Sequence, residues 1–418
     1  MKIEVISIGD ELLLGQTINT NSAWMGQEVA KVGGQVVRAW TVSDSGEEIH
    51  AALNGLHPKT ELVLLTGGLG PTKDDLTKKV LTAFMGGELT YHPDVFEHIQ
   101  RLFASMGRVP SERNREQAML PSNAEILINA VGTAMGMAWS WGGRRVVSMP
   151  GVPYEMKHLM ETHVLPWISQ NSRHFVAHRT VRSQGVPESD LADRLNDWEE
   201  SLPDWIKLAY LPAPGLVKLR LSLRVPKEQA VVSQGRLNRE VDVLIGLLGA
   251  SYFGEGDVPL ERVLGDKLLA QGMTLATAES CTGGALGASI TSVPGSSRYY
   301  WGGVQAYHND VKMKVLGVEE AALAVHGAVS ETVAKAMATG VRKRLGTDWA
   351  VSTTGIAGPD GGTPEKPVGT VWIAVAGPDG CQAERFQMGK DRQRNVQKTV
   401  LAAMNLLRVR IEHLSKNA

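Results

Sequence analysis

Short apolar runs alternate with amphipathic stretches of helical period along most of the chain. Residues 5–8, 35–41 and 62–66 are strand-like. Between the first two, Ala23, Trp24, Met25, Val29 and Ala30 recur at helical spacing and predict a helix over 21–32. Strands alternating with helices at this spacing predict a mostly parallel α/β sheet. From about residue 172 the pattern changes. Residues 178–183 and 217–225 alternate like strands, and 188–200 and 229–247 have helical period, with Val232, Leu237, Val241 and Leu244 on the second helix. This predicts a small α+β module, followed by a linker over 253–257. The rest is α/β again. Helices are expected at 259–270, 285–292, 321–325, 331–344 and 395–411, and strands at 275–278, 349–352 and 370–376. The expected domains are therefore 1–171, 172–256 and 257–418, in line with a length that suits two or three.

Composition narrows the classes. Lys and Arg total 43 against 44 Asp and Glu, for a formal charge of -1, so nucleic-acid binding gains nothing from overall charge. No apolar run approaches the roughly 18 residues that span a bilayer. The opening residues lack a basic segment followed by an apolar one, and the only cysteines are Cys281 and Cys381. Both features lead to an expected cytoplasmic location. HExxH, paired CxxC and Walker patterns are absent. An isologous homodimer is expected as the commonest assembly.

Candidate chemistry concentrates in two places. The expected strand 275–278 runs into Glu279-Ser280-Cys281-Thr282-Gly283-Gly284 before a small-residue helix. A strand, a glycine-rich turn and a helix start aim backbone N–H groups at one point, which suits an oxyanion. Ser280 is the candidate nucleophile and Cys281 its rival. Lys312 is the better base, with His308 nearby. N–H groups of Thr282, Gly283 and Gly284 are the expected oxyanion donors, with Gly302 and Gly303 as the alternative. In the first domain, Gly9-Asp10-Glu11 and the loop Gly67-Gly68-Leu69-Gly70-Pro71-Thr72-Lys73-Asp74-Asp75 both follow expected strands. Their glycines let a backbone approach phosphate, and Asp10, Asp74 and Asp75 offer hard oxygen donors to a divalent cation.

These motifs carry family resemblances. Residues 275–297, the run Trp301 to Lys312, Thr353 to Gly362 and Pro367 to Val371 resemble the C-terminal domain of the CinA family, the PncC-type nicotinamide mononucleotide amidohydrolases. The resemblance implies that Ser280, Lys312 and Tyr307 are catalytic and that no cofactor is needed. It also implies that Thr354, Gly355 and Arg392 meet the substrate. Where the family has a second arginine, four residues on, this chain has Val396, so Arg394 becomes a candidate for sharing the phosphate. The run Gly9 to Asn21, with residues 66–77, Asn114, Gln117, Gly132-Thr133-Ala134 and Pro150 to Met156, resembles the molybdopterin-binding fold of MoaB and MogA as found at the N-terminus of CinA proteins. That resemblance implies a three-layer domain hydrolysing ADP-ribose with Mg, Mn or Co, at a site including Glu11, Thr72 and Glu155. A molybdopterin-binding or competence-related protein without activity is the rival reading. The middle segment resembles the KH-like domain of CinA proteins but lacks a GxxG clamp, so no RNA partner is implied.

Overall fold

The computed structural model describes residues 1–70, Thr72 and residues 75–417, apart from the side chains of Lys416 and Asn417. They form two compact units, Met1–His178 with Leu223–Gln234, and Arg179–Ser222 with Gly235–Ala418. Among the described residues, no helix is long and apolar enough to cross a membrane.

The first unit holds strands β1 (Lys2–Ile8), β2 (Gln35–Val42), β3 (Leu62–Thr66), β4 (Leu89–Tyr91), β5 (Met119–Pro121), β6 (Glu125–Leu127), β7 (Gly136–Trp141) and β8 (Arg144–Met149). β4 and β5 pair as a ribbon, and the others form one sheet of order β2-β1-β3-β8-β7-β6. β1, β2, β3 and β8 are parallel, as the alternation of elements predicts. β7 turns back antiparallel to β8 because Gly142 and Gly143, at φ 57 and 76, close a tight hairpin. Ile6, Val63 and Leu65 pack on one face, and Ile3, Val5, Leu62 and Leu64 on the other. Burial on both faces explains why β3 reads as an unbroken apolar run. Because β2 and β3 lie on opposite sides of β1, the loops after β1 and β3 diverge there and leave a crevice at the carboxyl ends of the strands.

A second sheet, of four strands, contains β9 (His174–Gln184), β10 (Ile206–Ala213), β11 (Leu216–Pro226) and β12 (Tyr252–Glu255), in the order β10-β11-β9-β12. β12 occupies the segment expected as a linker. Its few residues have no period of their own, and antiparallel pairing with β9 makes them a strand.

The last sheet orders β13 (Leu275–Glu279), β14 (Tyr300–Gln305), β15 (Trp349–Gly355), β16 (Thr370–Gly377) and β17 (Gly380–Gln387) as β14-β13-β15-β16-β17. Its side chains alternate in size. Leu275, Trp349, Val351, Ile373 and Val375 face one core, shared with Met404 and Leu407 of the helix Arg392–Asn417. Ala276, Ala278, Ala350, Ala374 and Ala376 face the other, against Val333, Met337 and Val341 of the helix Glu331–Leu345. The alanine face lets that helix approach closely. β13 runs parallel to both neighbours, so the loops after β14, β13 and β15 gather at one sheet end.

Candidate active sites

At that sheet end the chain leaves β13 at Ser280. The Ser280 N–H donates to the Thr353 carbonyl at 2.9 Å, and the Ser280 carbonyl accepts from Gly283 N–H at 3.1 Å. Gly283 and Gly284 take φ 62 and 100, a left-handed pair that only glycine adopts without strain. The next helix, Ala285–Thr291, then starts beside the serine.

Lys312 reaches Ser280 from the helix Asn309–Leu316. His308 is the N-cap of that helix, its Nδ1 accepting from Asp310 N–H at 3.2 Å. This cap directs Lys312 inward, where it is 1 % exposed. Its Nζ donates to the carbonyls of Ala306 at 2.8 Å and Tyr307 at 3.4 Å, and lies 3.2 Å from Ser280 Oγ. Burial lowers the lysine pKa, opposed only by the weaker pull of Cys281. Cys281 is itself buried, and that burial, before the charge of Glu279, pushes its thiol up to about 12. A thiol in that state is a poor nucleophile at neutral pH.

The remaining expected residues divide. The Tyr307 hydroxyl, on a residue 62 % exposed, accepts from Arg392 Nη2 at 3.0 Å, whereas the Tyr307 backbone carbonyl is the part that meets Lys312. Arg392 also donates to the Gly358 carbonyl at 2.9 Å, so the guanidinium is held at the rim by two loops. Arg394 is exposed on the first turn of the last helix, its N–H capped by Asp391 at 2.8 Å. The Thr354 hydroxyl is buried and donates to the Ala328 carbonyl at 2.7 Å, so it is not a free donor. Gly355 is bridged to Val371 inside β15. Gly302 and Gly303 lie mid-strand in β14, opposite Ala276 and Thr277. Gly303 is three residues before the level of Ser280, roughly 10 Å at strand rise, so neither glycine reaches an oxyanion there. The expected loop donors are also partly spent. Gly283 N–H bonds the Ser280 carbonyl, and Gly284 N–H bonds the Glu279 carboxylate at 3.0 Å.

In the first unit, the crevice beside β1 and β3 encloses about 370 Å³. Gly67, Gly68 and Gly70 form one wall, and Glu11, Asp44, Asp75 and Glu155 bring carboxylates. A Cβ at Gly67 would overlap the Ile8 carbonyl, so β3 and β1 can approach only through glycine. Asp75 Oδ2 accepts from both the N–H and hydroxyl of Thr72, at 2.9 and 2.6 Å. Glu155 accepts from Asn129 Nδ2 at 2.8 Å and Tyr154 hydroxyl at 3.3 Å, and burial raises its pKa. Asp10 is absent from the wall. Its N–H instead donates at 3.1 Å to Asp44, whose carboxyl is raised first by burial and then by Asp10, Glu11 and Asp75. Asp74 lies outside the described residues. Among those described, no three His, Cys, Asp or Glu side chains are placed to hold one metal ion.

Residues 257–411 match the family described as CinA C-terminal domain, and residues 4–170 the family described as Probable molybdopterin binding domain. A CinA-like protein of Cytophaga hutchinsonii is 42% identical over 412 residues, covering 98% of this chain and 98% of its own. The chain belongs to the CinA family. A second CinA-like protein, from Salinibacter ruber, is 44% identical over 407 residues, 97% of this chain and 98% of its own. Among solved structures, the competence/damage inducible protein CihA from Agrobacterium tumefaciens is 37% identical. It covers 37% of this chain and 93% of its own, with a TM-score of 0.36.

Against this CinA framework, three residues stand out that sequence reading left without a role. The Thr353 carbonyl accepts the Ser280 N–H, and the Glu279 carboxylate accepts from the Thr282 hydroxyl, two residues beyond the serine. Asp44 follows the carboxyl end of β2, and an acidic residue just beyond a parallel strand was the signal available for it.

Proposed function

We propose that the C-terminal domain is a serine–lysine amidohydrolase that converts nicotinamide mononucleotide to nicotinic acid mononucleotide and ammonia. The observation that carries this is the buried Lys312 amine 3.2 Å from Ser280 Oγ, with backbone carbonyls as its other partners. A neutral amine has two N–H bonds and one lone pair. The carbonyls of Ala306 and Tyr307 take the N–H bonds, which leaves the lone pair for the serine proton. Ser280 Oγ then attacks the carboxamide carbon, and the proton passes through Lys312 to the departing nitrogen, which leaves as ammonia. Water repeats the sequence on the acyl-serine, with Lys312 again the base, and releases the carboxylic acid. With Gly283 and Gly284 committed elsewhere, the N–H groups of Cys281 and Thr282 are the loop's donors to the oxyanion. Arg392, steadied by Tyr307, is positioned at the rim for the 5′-phosphate. Ammonia release from nicotinamide mononucleotide, with Ser280→Ala as control, tests the reading. Undiminished release by a folded Ser280→Ala protein would end it.

The N-terminal crevice supports a second activity, ADP-ribose hydrolysis with a divalent cation. Among the described residues no lysine or arginine lines it, whereas Glu11, Asp44, Asp75 and Glu155 do, and these carboxylates favour a pyrophosphate that arrives with a cation. The donor set suits a cation shared between one or two carboxylates and the substrate, with Asp44 and Asp75 as the protein ligands, rather than a preformed cage. Bound there, the cation supplies charge neutralisation on the phosphates. The chain's own contribution is the backbone of Gly67, Gly68 and Gly70 along the phosphates and the raised carboxyl of Glu155 for proton transfer. ADP-ribose hydrolysis should stop in EDTA, return with added Mg or Mn, and be lost in Asp75→Asn, while ammonia release continues in all three. Tight pterin binding without hydrolysis would instead favour the molybdopterin reading.

A further inference from the structure

The helix end behind Ser280 is filled by the protein's own carboxylate. Glu279, the last residue of β13, is 3 % exposed. Its Oε2 accepts from Thr282 Oγ1 at 2.7 Å and from the N–H groups of Gly284 and Leu286 at 3.0 Å each. Its Oε1 accepts from Gly287 N–H at 2.8 Å. Thr282 Oγ1 also lies 2.7 Å from Thr353 Oγ1, and the Thr353 carbonyl accepts the Ser280 N–H. One network therefore holds the residues on both sides of the nucleophile. Charge-assisted bonds of this kind are stronger than neutral ones, and four of them fix the turn and helix start from Ser280 to Gly287.

We infer that Glu279 is a positioning residue for deamidation. Its carboxylate sets the Ser280 turn so that Oγ meets Lys312 and the N–H groups of Cys281 and Thr282 face the oxyanion. It also closes the helix end to other anions. This inference rests on the Ser280–Lys312 reading above.

The test uses the full chain and compares wild type, Glu279→Gln, Thr282→Ser, Thr282→Val and Ser280→Ala. Three readouts are taken: steady-state ammonia release, the rate at which a fluorophosphonate labels Ser280, and the melting temperature. In Glu279→Gln the amide oxygen keeps the bonds of Oε2, but the amide nitrogen confronts Gly287 N–H. Loss of one charge-assisted bond should lower kcat and the labelling rate on the order of ten- to a hundredfold, with KM and the pH midpoint unchanged. Thr282→Ser, which keeps the hydroxyl, should retain more of kcat and of the labelling rate than Thr282→Val, which should fall with Glu279→Gln. A Glu279→Gln protein that melts lower but keeps wild-type kcat and labelling would overturn the inference, leaving Glu279 a stabilising residue only. If wild type releases no ammonia but Ser280 still labels, and Glu279→Gln slows that labelling, the deamidase reading fails and the positioning role stands. Wild type that neither releases ammonia nor labels overturns both.

Discussion

Replacing Lys312 with Met tests the base and its environment together. Methionine matches the lysine stem in length and is apolar, so the buried volume is largely kept. The wild-type amine is 1 % exposed and hydrogen-bonds to the carbonyls of Ala306 and Tyr307. Burial therefore penalises its charged form and lowers its pKa. Between that lowered value and the roughly 10.4 of an unfolded lysine, the unfolded chain binds a proton that the native chain lacks. Wild-type stability must rise with pH across this window, and the contribution is lost as pH falls through the folded value. The Met variant has no such slope. It loses partners for two carbonyls, about 1–3 kcal/mol, but escapes a penalty worth ~1.4 kcal/mol for each unit by which the pKa is lowered. Relative to wild type it should be most stable at low pH and fall behind above about pH 10. Its deamidation should drop by about 10²–10⁴, the usual worth of a general base. Denaturant titrations, together with kcat/KM for ammonia release from about pH 6 to 10, measure both effects. Wild-type kcat/KM should climb tenfold per pH unit below the lowered pKa and then level off. A wild-type midpoint at the free-lysine value of ~10.4, or a Met variant with near wild-type turnover, would refute the reasoning.

Cys281→Ala should keep deamidation within a few-fold, and the wild-type thiol should resist iodoacetamide at pH 8, because its pKa is pushed up to about 12; peptide mapping after alkylation reads this directly. Arg392→Lys should raise KM for nicotinamide mononucleotide more than it lowers kcat, because an ammonium cannot hold Tyr307, Gly358 and a phosphate as a planar fork does. Gly284→Ala should lower stability by about 1–2 kcal/mol, since φ 100 is left-handed and the new Cβ meets the Gln305 amide; thermal melting measures it.

Much of the architecture was legible in the chain. Alternating apolar runs and helical stretches predicted α/β order at both ends, mostly parallel in the first unit, because burial period is written directly into residue order. The Ser280 turn and the Gly67 to Gly70 loop were legible for a related reason. Glycines at φ 62, 100, 116 and 66 are local requirements of tight backbone, and local requirements leave local signatures. Strand β12 was not legible, since its structure comes from pairing with β9 rather than from its own few residues.

The chemistry at the two sites divides along the same line. The turn itself pointed to Ser280 and the family resemblance to Lys312, but 32 positions separate them, and only the register of β13 against β14 brings the serine and lysine within 3.2 Å. Tertiary packing also decided which groups remain free. It turned the Thr354 hydroxyl to Ala328, held Gly302 and Gly303 within a strand, and set Glu279 against the helix end that the chain alone offered to an oxyanion. In the first unit it brought Asp44 to the crevice and left Asp10 off its wall. A carboxylate's reach depends on which loop crosses beside it. Lysine basicity and hydroxyl availability likewise depend on neighbours far along the chain, so local sequence cannot specify them.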